Sequence, residues 1–117
     1  MRKPVKTMFW DVDTQVDFML PGGKLYVPGA EKIIPNLKAL METAASKHVF
    51  VVSSADAHQP NDEEFSQYPP HCLVGTPGQQ KVPETLLARR ATIPNRRAPL
   101  PPLTALDQVV LEKQKLD

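Results

Sequence analysis

Three apolar runs along the chain predict the framework of a parallel sheet. The runs are "VKTMFWDV", "HVFVVSS" and "DQVVLEKQ", and each passes directly into charged or polar residues at its C-terminal end. Short apolar runs rich in β-branched and aromatic residues are typical of buried strands. We therefore expect three strands, the first ending near Asp11 and Asp13 and the last ending at Lys113.

The segment between the first two runs predicts a helix. In "AEKIIPNLKALMETAASK" the apolar residues recur at helical spacing, which predicts one buried face. That face is formed by Ile33, Leu37, Leu40, Met41 and Ala44. Pro35 is expected in the first turn, where its missing N–H costs little. A strand, a helix and a strand in this order form a βαβ unit, which implies parallel strands.

The second half of the chain is rich in proline. From Ala55 to about Leu106 we expect mostly loop, with one short helix around "PETLLARR". Three strands and one good helix make only part of a doubly wound sheet, which normally carries helices on both faces. The predicted fold class is therefore α/β, a partial doubly wound, Rossmann-like parallel sheet.

Composition narrows the class of protein. Apolar residues make up 41% of the 117 residues and charged residues 23%, which is typical of a globular protein rather than a disordered one. The net charge of +1 does not favour binding to nucleic acid or to an anionic membrane surface. A single cysteine cannot form an internal disulfide, so we expect a reducing, cytoplasmic environment.

Polar residues follow each predicted strand. In open α/β sheets, ligands bind outside the C-terminal ends of the strands. This rule brings Asp13, the region around Asp56, and Lys113 to one rim of the sheet. An acid and a lysine at such a rim, beside a candidate metal site, are typical of a reaction centre.

The stretch "SSADAHQPNDEEFSQYPPHC" carries the candidate metal ligands. Asp56 and His58 are two positions apart, so in extended chain both side chains point the same way. Glu64 and His71 follow on the same loop and complete a set of two histidines and two carboxylates. Such a set suits Zn²⁺, Fe²⁺ or Mn²⁺ rather than Ca²⁺. A solvated acidic loop with incidental histidines is the alternative that spacing alone leaves open.

The only cysteine, Cys72, lies next to His71. A Cys–His nucleophile is one interpretation, but adjacent residues rarely bring their side chains together productively. "PPHC" also offers no helix N-terminus to lower the thiol pKa. A packed, unreactive cysteine is the favoured interpretation.

Three separated stretches resemble the nicotinamidase and isochorismatase-like cysteine hydrolases. They are "DVDTQVDFMLPGGKLYVPGA", "SSADAHQPNDEEF…YPPHCLVGTPGQQ" and "VVLEKQKLD", in the family's order over nearly the whole chain. The resemblance implies an Asp-Lys-Cys triad in which Asp13 and Lys113 are catalytic, whereas Asp11 has no family role. It implies a divalent metal bound by Asp56, His58, Glu64 and His71. Phe18 and Tyr68 match aromatic positions that line the substrate pocket.

One family residue has no counterpart in the resemblance. The family's nucleophilic cysteine follows a later strand, and Cys72 does not match it. We therefore expect residues 1–117 to be the N-terminal portion of one such domain, with little or no turnover alone. The implied activity is hydrolysis of a small carboxamide such as nicotinamide to the acid and ammonia. The alternatives are an isochorismatase-type or other cysteine hydrolase, and a non-catalytic metal-binding half-domain that pairs with a partner. Family members are often homo-oligomers.

Overall fold

The computed structural model describes residues 6–116, which form a parallel sheet with one main helix. The strands are β1 (Met8–Val12), β2 (Phe50–Asp56), β3 (Arg90–Ile93) and β4 (Gln108–Lys113). The helices are α1 (Val16–Met19) and α2 (Ile34–Ser46), and short 3-10 turns occupy Ala30–Ile33, Glu63–Ser66, Pro77–Gln79 and Pro83–Thr85. The strand order is β1-β2-β4-β3, and all neighbours pair in parallel. The predicted α/β fold class is thus confirmed.

The three predicted strands correspond to β1, β2 and β4, and β4 ends at Lys113 as expected. Val5, the first residue of the first predicted run, lies outside the described residues. The sequence did not predict β3, which is only four residues long, begins with an arginine and is followed directly by a proline. It joins the sheet by pairing with β4.

The short helix predicted around "PETLLARR" is wrong. Only Pro83–Thr85 form a 3-10 turn, and the backbone is extended from Leu86. The buried side chain of Gln108 explains the difference, because it bonds to the backbone groups that a helix would pair internally. It accepts a hydrogen bond from the Leu87 N–H at 2.7 Å and donates one to the Thr85 carbonyl at 2.9 Å. These bonds satisfy the segment in a non-helical form.

Helix α2 packs on one face of the sheet through part of its predicted apolar face. Pro35 lies in its first turn, as expected. Met41 and Ala44 are buried against Val51 of β2. Ile33 and Leu40 remain 49% and 51% exposed, and they border a groove of about 430 Å³ between α2 and β1.

The other face of β1 has no such cover in the part of the chain that the structure describes. Phe9 points towards α2, so strand alternation turns Met8, Trp10 and Val12 to the opposite face. All three are more than half exposed. The sheet therefore has its main helix on one side only, as the predicted partial doubly wound sheet requires. None of the helices in residues 6–116 is long and apolar enough to cross a membrane.

Candidate functional site

Three strand ends meet at one rim of the sheet and bring together the residues predicted there. Asp56 ends β2 and is paired in register with Lys113 at the end of β4, and Asp13 follows β1 directly. The Lys113 Nζ lies 2.6 Å from the Asp56 Oδ1 and 3.4 Å from the Asp13 Oδ1. The lysine therefore sits between two carboxylates that come from different strands.

Asp13 is held in an unusual backbone conformation. Its φ is +57°, in the left-handed region that asparagine and aspartate tolerate better than most residues. Its N–H donates to the Ser54 carbonyl at 3.1 Å, which anchors the turn to β2. Burial and the negative charge of Asp56 raise the pKa of Asp13, and the positive charge of Lys113 opposes this rise. A carboxylate with a raised pKa is a better proton acceptor than an ordinary aspartate.

Lys113 remains a cation in this setting. Burial lowers its pKa, but the hydrogen bond and charge of Asp56, together with the charge of Asp13, outweigh burial and leave the pKa raised above its ordinary value. The Nζ also donates to the Lys115 carbonyl at 2.9 Å. Lys113 can therefore stabilise negative charge at the rim.

The four predicted metal ligands converge beside this lysine. The Glu64 Oε2 lies 3.1 Å from the His58 Nε2 and 3.0 Å from the His71 Nε2. The Asp56 Oδ2 lies 3.2 Å from the His58 Nε2 and 3.6 Å from the His71 Nε2. One ligand atom from each residue lies within 4.8 Å of the others. We refer to these four residues, with Asp13 and Lys113, as the rim cluster.

Three of these four distances, at 3.0–3.2 Å, are slightly shorter than those between the ligands of a tetrahedral metal ion, and the fourth, at 3.6 Å, is comparable to them. With ligand bonds of about 2.0–2.2 Å, neighbouring ligands of a tetrahedral zinc lie roughly 3.3–3.6 Å apart. Both imidazoles also direct their Nε2 atoms to the centre, because each Nδ1 is engaged elsewhere. The His58 Nδ1 pairs with the Asp62 Oδ2 at 2.8 Å, and the His71 Nδ1 donates to the Pro69 carbonyl at 2.7 Å. Such outer partners fix the orientation and tautomer of metal-binding histidines.

Asp62 is therefore a site residue that sequence reasoning missed. Its carboxylate also accepts a hydrogen bond from the Glu64 N–H at 3.0 Å, which ties the two acids together. Burial lowers the pKa of His58, but the hydrogen bonds to Asp62 and Asp56 and the charge of Asp56 outweigh it, so the pKa is raised. The one available signal was that Asp62 lies four residues after a predicted ligand.

Gln15 was also missed, although it lies inside the quoted "DTQVDF" stretch. Its side chain is fully buried and continues the sheet beyond the end of β1. The Oε1 accepts a hydrogen bond from the Asp56 N–H at 2.8 Å, and the Nε2 donates to the Asp56 carbonyl at 2.9 Å. Gln15 thus fixes the backbone of the residue that contacts both Lys113 and the histidines.

Asp17 holds the loop that carries His71. Its Oδ2 accepts a hydrogen bond from the Cys72 N–H at 2.7 Å, and its Oδ1 accepts one from the Lys24 N–H at 3.0 Å. Gly78 packs directly on this carboxylate, because a Cβ at that position would lie 2.2 Å from the Asp17 Oδ2. Neither Asp17 nor Gly78 was singled out from the sequence.

Cys72 itself is buried and does not face solvent. Burial and the negative charges of Asp56, Asp17 and Asp13 raise the pKa of its thiol, so the thiolate is disfavoured. This environment is the opposite of the electropositive setting that activates catalytic cysteines. The packed, unreactive interpretation agrees with these surroundings.

Two aromatic rings surround the histidines. Phe18 lies 5.4 Å from the His71 ring, and Phe65 lies 5.2 Å from His58 and 5.5 Å from His71. Phe65 was not singled out from the sequence. Among the described aromatic residues, Tyr68 does not stack on either histidine and is 39% exposed. The Phe18 ring therefore contacts a predicted metal ligand, whereas the Tyr68 ring contacts neither histidine ring within the described residues.

Comparison with known proteins adds family relationships to this geometry. The family model described as the isochorismatase domain matches residues 9–115. A crystal structure of a pyrazinamidase of Pyrococcus horikoshii in complex with zinc is 30% identical, with a TM-score of 0.68 over 93% of this chain and 52% of that chain. An isochorismatase-like hydrolase from Alkaliphilus metalliredigens is 25% identical, with a TM-score of 0.71 over 95% and 53%.

A nicotinamidase/pyrazinamidase from Bacillus subtilis shares the fold at 22% identity, with a TM-score of 0.72 over 95% of this chain and 57% of that chain. No curated protein sequence matches significantly. The chain spans about half the length of the solved structures it matches.

Proposed function

Since the chain belongs to the isochorismatase family, we propose that it supplies the base, the lysine and the metal ligands of a nicotinamidase-like amidohydrolase. The observation that carries this proposal is the position of Asp56. One oxygen of its carboxylate contacts Lys113, and the other faces the two histidines. A substrate held at the metal would therefore lie beside the Asp13–Lys113 pair.

We propose zinc as the metal, bound by Asp56, His58, Glu64 and His71. The mixed nitrogen and oxygen set, the convergence of its four ligand atoms within 4.8 Å and a zinc-bound pyrazinamidase relative support this choice. The metal would supply an anchoring site that holds the substrate or its bound waters in place. Fe²⁺ and Mn²⁺ suit the same ligands and are the alternatives to be measured.

The proposed reaction is hydrolysis of a small carboxamide such as nicotinamide. Asp13 accepts the proton of a nucleophilic thiol, and the thiolate attacks the amide carbonyl. Ammonia leaves with a proton returned from Asp13, and water then hydrolyses the thioester to release the acid. Lys113 stabilises the negative charge on Asp13 and on the thiolate.

We place the nucleophilic thiol outside residues 1–117. Cys72 is the only cysteine in the sequence, and its burial among carboxylates disfavours the thiolate. By this proposal residues 1–117 are the N-terminal portion of the catalytic domain and have little or no turnover alone. A cytoplasmic location and a homo-oligomeric state remain predictions.

The test compares this chain with the polypeptide extended along its natural reading frame. We expect the extended polypeptide with zinc to release ammonia from nicotinamide and the 117-residue chain to release little or none. Asp13→Asn should lower kcat by roughly 10²–10⁴-fold, which is the usual contribution of a general base. Asp107→Asn, directly before β4 and away from the rim, is the matched control. An Asp13→Asn variant with full activity would contradict the assignment of the base.

The second candidate is a non-catalytic metal-binding half-domain that pairs with a partner through the sheet. The half-exposed Met8, Trp10 and Val12 on the open face of β1 favour it. Sedimentation of the zinc-loaded 117-residue chain separates the two candidates. A stable dimer, together with an extended reading frame that shows no amidase activity, would favour the half-domain.

A further inference from the structure

A second group of polar side chains, two of them charged, lies beneath the rim, between the sheet and the loop that follows the metal ligands. It consists of Asp11, Thr14 and Lys81, and we refer to it as the inner cluster. The side chains of Lys81 and Asp11 are only 4% and 11% exposed. Asp11 occupies a position on β1 that faces the α2 side, where strand alternation favours an apolar residue. The family resemblance gives it no role.

The inner cluster is closed by its own hydrogen bonds. The Lys81 Nζ donates to the Asp11 Oδ2 and to the Thr14 Oγ1, each at 2.5 Å. The Thr14 hydroxyl donates to the Asp11 Oδ1 at 2.8 Å, and the Ser53 hydroxyl donates to the Asp11 Oδ2 at 2.9 Å. Both carboxylate oxygens of Asp11 are thus engaged within the cluster.

These bonds involve residues on both sides of Asp13 in the sequence. Asp11 precedes it by two residues and Thr14 follows it, and Lys81 holds both side chains together. Asp13 itself has little that fixes it. Its N–H is bonded to Ser54, but its Oδ1, although 3.4 Å from the Lys113 Nζ, makes no hydrogen bond within the described residues.

The backbone of Lys81 is tied to the same segment. Gln15 and Lys81 form an antiparallel bridge, in which the Val82 N–H donates to the Thr14 carbonyl at 2.9 Å and the Val16 N–H donates to the Gln80 carbonyl at 2.8 Å. Because the Gln15 side chain holds both backbone groups of Asp56, Lys81 is connected to both acids that contact Lys113.

We propose that Asp11 and Lys81 are positioning residues for the proposed reaction: they hold the left-handed turn at Asp13 and so keep its carboxylate beside Lys113. The inference rests on the proposed function for its catalytic meaning. A purely stabilising role is the poorer explanation, since well-packed apolar residues often replace a buried ion pair without loss of stability. Residues that break the local pattern of a strand are typical of functional sites.

The test replaces the pair by apolar residues in the double variant Asp11→Leu/Lys81→Met. In the 117-residue chain we expect the amide of Asp13, which donates to the Ser54 carbonyl, to exchange with solvent about tenfold faster, with no change at Val51 in the core. In the extended polypeptide we expect kcat to fall about tenfold with KM unchanged, because only the alignment of the base is lost.

A matched control removes the exposed ion pair between Arg89 and Asp107, whose Nε and Oδ2 are 3.0 Å apart. The double variant Arg89→Met/Asp107→Leu should leave exchange at Asp13 unchanged. If this control accelerates exchange at Asp13 as much as the inner-cluster variant does, general loosening explains the effect and the proposal is overturned. Unchanged exchange at Asp13 in a folded Asp11→Leu/Lys81→Met chain also overturns it.

If the double variant does not fold, Thr14→Val keeps both charges and removes the hydroxyl that links them. It should increase exchange at Asp13 in the same direction, and no increase would contradict the proposal. The exchange measurement needs neither thiol nor substrate. Faster exchange without amidase activity in the extended wild-type polypeptide would support the positioning of Asp13 and refute the reaction. Unchanged exchange in an active amidase would refute the positioning alone.

Discussion

The rim cluster and the inner cluster adjoin along the chain, since Asp13 lies between Asp11 and Thr14, yet their hydrogen bonding differs. In the inner cluster every oxygen of Asp11 accepts a hydrogen bond, and Lys81 is enclosed. In the rim cluster Lys113 and His58 both bond to Asp56, but one carboxylate oxygen, the Asp13 Oδ1, makes no hydrogen bond within the described residues. The unpartnered oxygen of Asp13 therefore distinguishes the rim cluster from the inner cluster, in which both carboxylate oxygens of Asp11 are hydrogen-bonded.

The largest effect is expected when only one partner of the buried ion pair in the inner cluster is removed. Lys81→Met leaves Asp11 buried without its cation, which should lower the free energy of unfolding by about 3–5 kcal/mol. Urea unfolding of the metal-free chain measures this loss. Arg89→Met, at an exposed ion pair, is the control and should cause a much smaller change. Equal losses in the two variants would show that Lys81 is not a buried partner in solution.

The next effect breaks the rim cluster. His71→Ala removes one of four ligands, and zinc affinity should fall more than about a hundredfold, beyond the 10–100-fold typical of outer-shell changes. Isothermal titration with zinc provides the measurement. The control is His48, the remaining histidine, which is exposed at the end of α2 with a φ of +55°. Asparagine tolerates that conformation, so His48→Asn should leave zinc affinity unchanged. A similar loss in both variants would contradict the ligand assignment.

A smaller effect is expected when Asp62, which contacts the rim cluster from outside, is changed. Asp62→Asn keeps an oxygen for the Glu64 N–H but loses the charge that orients His58. Zinc affinity should fall roughly 10–100-fold, as for other outer-shell partners of metal-binding histidines. Glu63→Gln, at the exposed neighbouring acid, serves as the matched control and should have no effect. Wild-type affinity in Asp62→Asn would show that His58 is oriented without it.

The sequence predicted the rim cluster better than the inner cluster for a physical reason. Asp56, His58, Glu64 and His71 lie within 16 residues, and their spacing already suggests metal binding. Asp13 and Lys113 came from strand ends, where open α/β sheets place their sites. Asp11 and Lys81 are 70 positions apart, and only the folded loop after the metal ligands brings them together.

The same distinction holds for the fold. Strands β1, β2 and β4 and helix α2 carry strong local patterns and were predicted. Strand β3 depends on pairing with β4, and the extended segment after Thr85 depends on the Gln108 side chain. Neither of these long-range contacts can be predicted from a local sequence pattern. The substrate-binding role of Tyr68 stays a prediction, since its side chain is 39% exposed and stacks on neither histidine ring within the described residues.

X-ray absorption spectroscopy of the zinc-loaded 117-residue chain directly tests the proposed zinc site and its ligands. We expect one zinc per chain with four nitrogen or oxygen ligands at about 2.0–2.2 Å, two of them imidazoles. A sulfur ligand at about 2.3 Å would bring Cys72 into the site and contradict the assignment. Absence of bound zinc, iron and manganese in the folded chain would contradict the metal centre itself.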